Sequence, residues 1–318
     1  MTLWSDLVER LAASVHRNGS DALLLSGGLD SAILATVMRP AYCVTAALGS
    51  GAPDLVFARQ VASKYCSRHE EEVFGNEEMA DMVETVINVF KTFDPIEIRN
   101  SCVALAGLQR AKADGFSKVA TGDGGDELFA GYNYLARYYG DIQRLEQELR
   151  RLWDVMHFSS KKLGEHLGVQ VVAPFLDKEF AQFAKGIPAQ EKVGEHGGQK
   201  WGKFILRKCF EAELGKLAWR PKMAQEQGAA TDLFCRFIDQ RIDDGTYANR
   251  AKIAQSEGVA IRSKEHLNYY AIFRSYFPPP NEESGNCELV CSGCRACAKK
   301  DGRFCRTCGA FPMTPVSL

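Results

Sequence analysis

Ser26-Gly27-Gly28-Leu29-Asp30-Ser31 follows the apolar run Ala22 to Leu25 and opens a segment with helical periodicity through Met38. An apolar strand that enters a small glycine-rich turn and then a helix presents close backbone amides, two hydroxyls and the positive end of a helix dipole, which together suit phosphate groups. Asp30 sets a carboxylate inside that anion site, an arrangement that makes sense when a divalent cation accompanies the phosphates. No GxxxxGK[ST] stretch is present and no lysine follows the glycines, so the Walker type of phosphate loop is excluded. A second turn, Thr121-Gly122-Asp123-Gly124-Gly125-Asp126-Glu127-Leu128-Phe129-Ala130-Gly131-Tyr132, carries three acids among glycines. In an α/β sheet this turn comes to lie beside the first, so that Asp126 faces Asp30 across a shared magnesium ion. Either turn alone has a bland explanation, backbone geometry for the first and a solvated acidic loop for the second. Two complementary loops are far more specific.

A different chemistry closes the chain. Five of the eleven cysteines are scattered over residues 1–286, whereas six crowd into residues 287–318 as Cys287-x3-Cys291-x2-Cys294-x2-Cys297-x7-Cys305-x2-Cys308. Two CxxC knuckles joined by a short basic loop can close a tetrahedral thiolate site, and zinc folds a segment too small to have a core of its own. Cys291, Cys294, Cys305 and Cys308 are the expected ligands; Cys297 in place of Cys294 is the alternative, and Cys287 a further candidate. An iron-sulfur set fits less well, because the fourth cysteine and its following proline are not at ferredoxin spacing. The clustering argues for metal and against disulfides in an intracellular protein. A structural staple is the simple role of this zinc. The sharper one uses Arg295, Lys299, Lys300, Arg303 and Arg306 to touch RNA phosphates.

The elements that must position these groups follow from periodicity. Runs at 21–25, 42–48, 70–74 and 116–121 read as buried parallel strands, separated by helical patterns at 31–38, 54–67, 76–92 and 101–114. This alternation predicts an α/β protein with a doubly wound parallel sheet and its ligand outside the carboxyl ends of the strands. From residue 133 to 275 the pattern turns helical, including 141–153, 177–185 and 201–213, which implies a helical subdomain beside the sheet. The expected division is a cover helix at 1–19, the phosphate-loop core at 20–135, the helical part at 136–276, a proline-rich linker at 277–286 and the cysteine module at 287–318. The chain has 318 residues, enough for one large core plus a small module, and a net charge of −1, which advertises no global attraction to nucleic acid. The first residues, MTLWSDLVERLAASVHR, carry acids where a signal peptide needs a basic and then an apolar run, and every apolar stretch is interrupted before it could span a membrane. The cytoplasm is the expected compartment. None of the six histidines stands at ligand spacing.

Together the two glycine motifs resemble the synthetase domain of the asparagine synthetase B family, within the PP-loop ATP pyrophosphatase group of Rossmann-like proteins that includes the β-lactam synthetases. The resemblance runs over residues 20–235 through Gly51-Ala52-Pro53-Asp54-Leu55, Ile98-Arg99-Asn100-Ser101, Pro174-Phe175-Leu176-Asp177, Lys200-Trp201 with Ile205-Leu206-Arg207, and Trp219-Arg220-Pro221-Lys222 followed by Gln227-Gly228. It implies that ATP is cleaved between its α and β phosphates, that a carboxylate becomes an acyl-adenylate, and that ammonia attacks it. By the same carry-over Ser26, Gly27, Gly28, Asp30 and Ser31 cradle pyrophosphate, and Asp30 with Asp126 holds magnesium. Leu25, Ala47, Thr121 and the backbone of Gly122 take the adenine. Lys203, within a stretch from 199 to 222 that holds seven basic against two acidic residues, also serves the nucleotide. Asp123, Lys222 and Arg99 are then the catalytic residues.

The chain departs from the family at three places. The family's glutaminase part has no counterpart ahead of residue 20, so the expected nitrogen source is free ammonia or a separate glutaminase subunit. Asp123 stands where the best-known members carry glutamate, and Val172 where they carry an arginine two residues before the proline of Pro174-Phe175-Leu176-Asp177. That loss leaves the acid substrate open. A tRNA-thiolating enzyme with the same adenylating core is the alternative, with Cys102 and Cys209 as candidate sulfur carriers and the basic tail on RNA; a nucleotide sensor is a third reading. A homodimer is compatible with each.

Overall fold

The computed structural model describes residues 2–282, 287–299 and 302–317; Lys300 and the linker residues 283–286 lie outside the described residues. Thr2 caps helix α1 (Leu3–Asn18) through its side chain, and Leu7 and Leu11 on one face are buried, as the amphipathic pattern predicts. Then follow β1 (Ala22–Leu24), α2 (Leu29–Met38), β2 (Tyr42–Leu48), α3 (Pro53–Tyr65), β3 (Arg68–Phe74), α4 (Asn76–Phe90), α5 (Pro95–Ala113), β4 (Lys118–Ala120), the short α6 (Gly125–Leu128), α7 (Ile142–Val155), α8 (Ser159–Leu167) and β5 (Gln170–Val172). The five strands form one parallel sheet in the order β3-β2-β1-β4-β5. This is the doubly wound α/β architecture expected from the alternation of elements.

Period-two alternation sorts side chains to the two faces of the sheet. Ala22, Tyr42 and Val44 enter the core made with α4 and α5, whereas Leu23, Leu25 and Cys43 enter the core made with α1, α2 and α3. The chain reverses its winding between β1 and β4, so the turns that follow these two strands flank one crevice at the carboxyl edge of the sheet.

Several expectations are corrected. The run at 70–74 belongs to an edge strand and not a buried one; its Glu70, Glu71 and Glu72 are half-buried, the charged composition that protects a sheet edge. Helix α5 begins at Pro95 and not at residue 101, because Asp94 accepts from the Ile96 N–H and Pro95 occupies the first turn, where its missing N–H costs nothing. Residues 201–213 do not form one helix. Gly197 and Gly198, both at positive φ, turn a hairpin between β6 (Val193–His196) and β7 (Gln199–Gly202), so Trp201 lies in a strand and helix resumes at Phe204–Cys209. The three-residue β5 has no periodic signature to announce it.

The cysteine-rich tail packs onto the α/β body. Hairpin β8 (Leu289–Cys291) and β9 (Pro315–Ser317) frames Cys291, Cys294, Cys305 and Cys308, all buried in the same apolar cluster as Phe93, Tyr270 and Phe273. Cys287 and Cys297 form a disulfide, as do Cys43 and Cys66. Cys287 and Cys297 are therefore withdrawn from the metal candidates, and the expectation of metal in place of disulfides is corrected for these two, which leaves four free tail cysteines as candidate ligands. An isolated antiparallel bridge pairs Val290 with Cys297, which is not part of the four-thiol group. Among the described residues no helix is long and apolar enough to cross a membrane.

Candidate active site

The crevice is a cleft of about 350 Å³. The turn after β1, the turn after β4, one face of α5, the segment entering α8, and residues 203–225 form its walls. Of the residues singled out in the sequence, Leu25, Ser26, Gly28, Asp30, Ser31, Thr121, Gly122, Asp123, Asp126, Lys203 and Lys222 all line it.

The first turn is pre-shaped. Ser31 Oγ accepts from the Ser26 N–H at 3.1 Å, and the two serine hydroxyls lie 3.0 Å apart, folding the loop over the start of α2. Gly27 sits at φ +71°, and a Cβ there would press on the Asp54 carbonyl and the Ala58 nitrogen of α3, so only glycine lets the loop close on that helix. Gly27 does not line the cleft; its carbonyl accepts from Arg220 Nη1 at 2.6 Å, while Arg220 Nη2 reaches Asp54 Oδ1 at 2.6 Å. The guanidinium also stacks on Phe57. Burial pushes the Asp54 carboxyl up and Arg220 opposes it.

At the centre, two carboxylates share one lysine. Lys203 Nζ lies 2.5 Å from Asp30 Oδ2 and 2.6 Å from Asp126 Oδ1, and Lys222 Nζ lies 2.7 Å from Asp126 Oδ2. Burial works to raise the Asp126 pKa, but the two lysines overcome it and hold the group below its usual range. Asp30 has only a share of Lys203, and burial carries it upward. Lys203 is itself buried, yet the two acids keep it protonated. Lys203 is delivered by β7, which was read as helix; the residue adopts φ +54° at the turn into the following helix. Gly125 and Gly131 make room for this packing, because a Cβ at either would fall on the Asp30 or Asp126 carboxylate.

Magnesium passes a test of fit here. Asp30 Oδ1 is buried without a hydrogen-bond partner, so a hard oxygen donor stands free beside a second carboxylate, the donor chemistry a small divalent ion requires. The four tail cysteines pass a comparable test. Their sulfurs lie within 4.8 Å of one another, with Cys291 to Cys308 at 3.9 Å and Cys294 to Cys305 at 3.6 Å. Four thiolates at a Zn–S distance of ~2.3 Å in a tetrahedron stand ~3.8 Å apart.

Asp123 is anchored by one oxygen. Thr121 Oγ1 donates to its Oδ2 at 2.8 Å, and Ser160 Oγ donates to the same atom, so neither of these bonds engages Oδ1 of this cleft-lining residue. Burial raises its pKa against those two bonds. Nearby, burial lifts Glu127 to about 7, opposed by the hydroxyl of Tyr132.

Five residues singled out earlier stand elsewhere. Ala47 is buried with Ala52, Leu55 and Ala230; alternation along β2 turns its neighbour Ala46, together with Val44, toward the cleft instead. Arg99 is paired with Glu265 through two bonds and does not line the cleft, whereas Glu97, Asn100, Val103, Ala104 and Gly107 of the same helix do. Val172 ends β5 and packs on the apolar core without lining the cleft, its carbonyl accepting from the Thr121 N–H at 2.9 Å. Cys102 is the eighth residue of α5, buried in the core, and burial pushes its thiol up, which removes the low-pKa rationale for a sulfur carrier. Cys209 points at the Trp4 carbonyl, with its thiol pushed up to about 12 by burial.

Other cleft residues had been given no role: Glu97, Asn100, Glu127, Tyr132, His157, Ser160, Arg207 and Arg220. Arg220 sits inside the quoted Trp-Arg-Pro-Lys motif, which was the available signal. His157 and Ser160 had none, because a loop between two helices brings them in from across the fold.

A doubly wound parallel sheet with a phosphate-type glycine loop and an acidic glycine loop at its switch point defines the class. The family model for asparagine synthase matches residues 6–162 and 143–260, and the chain belongs to that family. Similar proteins include asparagine synthetase B [glutamine-hydrolyzing] of Escherichia coli (strain K12), 30% identical over 308 residues that cover 86% of this chain and 54% of that protein. Asparagine synthetase [glutamine-hydrolyzing] of Gallus gallus is 32% identical over 279 residues, covering 80% of this chain and 48% of the relative. The Homo sapiens protein of the same name is 28% identical over 301 residues, covering 87% and 52%. The chain spans about half the length of the curated relatives it matches.

Proposed function

We propose that this chain is an ATP-dependent ligase that forms AMP and pyrophosphate, adenylating a small carboxylate and passing it to ammonia. The observation that carries the reading is the cluster of Asp30, Lys203, Asp126 and Lys222 beside the pre-shaped glycine turn. Two acids and two lysines that cancel one another, Lys203 buried and the other three half-buried, are costly to assemble for stability alone. They suit a site that must take up a polyanion and a cation together.

In this reading the amides of the turn and the amino end of α2 hold the pyrophosphate portion of ATP, with the Ser26 and Ser31 hydroxyls beside them. A carboxylate oxygen of the substrate attacks the α-phosphorus, the bond from that phosphorus to the bridging oxygen breaks, and pyrophosphate leaves with the electron pair. Lys222 and Lys203 stand where the leaving group gains charge. Asp30 and Asp126 would hold magnesium, which when bound neutralises charge on the phosphate oxygens. Ammonia then attacks the acyl carbon, AMP departs, and Asp123 Oδ1 takes the proton the nitrogen loses. Burial, by raising the Asp123 pKa, makes it a better base for that step. Leu25, Val44, Ala46, Thr121 and Gly122 form the apolar and backbone surface for adenine. The ammonia comes from solution or from a separate glutaminase subunit, and zinc in the four-cysteine site staples the tail. The cytoplasm is the compartment proposed.

Exchange of labelled pyrophosphate into ATP tests this, using magnesium and panels of amino acids, other carboxylates and bulk tRNA. Exchange dependent on one acid is the expected result. No exchange with any acid, together with AMP release on tRNA, would replace the ligase by the RNA-modifying reading.

A further inference from the structure

The contacts of the cysteine tail converge on the catalytic cleft. The two residues between Cys305 and Cys308, Arg306 and Thr307, present their carbonyls to the link between α4 and α5. Thr92 Oγ1 donates to the Arg306 carbonyl at 2.7 Å, and the Phe93 N–H donates to the Thr307 carbonyl at 2.8 Å. Gly309 fits against the Asp94 carboxylate, the cap of α5, so tightly that a Cβ there would overlap it. Thr92, Phe93 and Asp94 are all buried. Arg306 also donates to the Val155 carbonyl at 2.5 Å, at the end of α7. On the other side, Arg262 donates to the Cys308 carbonyl.

Both gripped segments lead into walls of the cleft. Glu97, Asn100, Val103, Ala104 and Gly107 recur at three- and four-residue spacing and so form one stripe of α5, whose starting point is what the tail clasps. His157, Phe158, Ser159 and Ser160 follow Val155 after one residue, and Ser160 is one of the two donors that anchor Asp123. Among the described residues, no hydrogen bond of this kind joins the phosphate turn, Lys203 or Lys222 to the tail.

We propose that the knuckle between Cys305 and Cys308 is a strut for one wall of the cleft, so that Thr92 and Arg306 are positioning residues and metal loading of the four cysteines tightens α5 and the Ser160 segment. This rests on the zinc reading above. A CxxC turn bound to metal has its backbone fixed by two ligands, and its carbonyls then become rigid acceptors. The tail acts on the chemistry through Asp123 and the α5 stripe, from outside the cleft.

The test uses the full chain, its metal content measured by elemental analysis, and hydrogen exchange followed by mass spectrometry. Chelation of the metal, Thr92→Val and Arg306→Ala should each accelerate exchange roughly tenfold in peptides from 95–104 or 157–163, with 22–34 unchanged. Thr92→Ser, which keeps the hydroxyl, should restore protection, and zinc added back should reverse chelation. In the pyrophosphate-exchange assay, Thr92→Val should lower kcat/KM roughly tenfold, the scale of one buried hydrogen bond lost, and Thr92→Ser should recover it. Unchanged protection of both walls would overturn the proposal. So would exchange accelerated equally in 22–34, which marks global destabilisation. A purified chain that holds no metal and is indifferent to added zinc refutes the zinc reading and this proposal with it. Failure of every acid to support exchange strikes only the ligase reading, because the protection experiment is independent of it.

Discussion

Lys203→Met separates the electrostatic argument from the kinetic one. Lys203 is buried, and one ammonium bridges Asp30 and Asp126 at 2.5 and 2.6 Å. A methionine of similar length removes the charge and leaves two carboxylates facing each other, with Lys222 touching only Asp126. Removing one partner from a buried charge cluster costs about 3–5 kcal/mol, and in a chain of this size each kcal/mol moves Tm by about 2 °C. The variant without metal should therefore melt about 6–10 °C below the parent. Magnesium should then act in the opposite direction. In the parent it must compete with Lys203 for the same oxygens, whereas in the variant the oxygens are free and mutually repelling. At a hundred times Kd, binding to the folded state alone adds about 2.7 kcal/mol, so magnesium should recover about 5 °C, more than half of the lost Tm, in the variant and do less in the parent. Differential scanning calorimetry with chelator and with a magnesium titration reads both effects. A variant as stable as the parent in chelator would refute the charge-cluster argument. A variant that magnesium stabilises no more than the parent would refute the placement of the ion between Asp30 and Asp126.

Three further outcomes are expected. Lys192 is almost fully buried, 4.9 Å above the Trp153 ring, and burial lowers its pKa from 10.5 to about 7. A lysine depressed in this way contributes stability above the unfolded pKa and loses it as pH falls from 10.5 toward 7. Its charging cost at pH 7 is then about 4 kcal/mol. The ring returns about 1–2 of that. Lys192→Met should therefore raise stability by about 2–3 kcal/mol in urea unfolding at pH 7 and by less at pH 9.5, and destabilisation at pH 7 would contradict the sign. Gly125→Ala places a methyl on the Asp30 carboxylate and should abolish pyrophosphate exchange while the circular dichroism spectrum is kept; full exchange would mean that Asp30 is not where the reaction needs it. Arg220→Lys cannot reproduce both the bidentate reach to Gly27 and Asp54 and the stacking on Phe57. It should raise the KM for ATP roughly tenfold with kcat changed less, since Arg220 shapes the turn and does not line up with the departing bond.

Much of the site is local in sequence, which is why it was legible. The turn from Ser26 to Ser31 and that from Thr121 to Tyr132 each complete a strand, a bend and a helix start within a dozen residues, so their chemistry is written in consecutive side chains. The four metal-type cysteines are legible for the same reason. Residue-level errors arose where a face or a partner decides. Ala47 and Ala46 are neighbours in the chain, and only the register of β2 against β1 and β3 says which of them meets the cleft. Arg99 belongs to a helix whose rotation gives the cleft to Glu97 and Asn100 and gives Arg99 to Glu265. The hairpin that delivers Lys203 had a signal, Gly197-Gly198, that a helical reading of the following residues obscured.

What the sequence by itself determined is the alternation of strands and helices from β1 to β4, the two glycine turns with their acids, and the thiol knuckles, because short-range backbone preference and side-chain periodicity act along the chain. What only the tertiary structure decided is which distant groups share a point in space. Lys203 meets Asp30 across 173 intervening steps of chain, Ser160 reaches Asp123, and the tail's Arg306 and Thr307 reach Thr92 and Phe93. Those meetings come from burial of apolar faces against one another, which pulls the charged groups together and leaves them no water to pair with but one another.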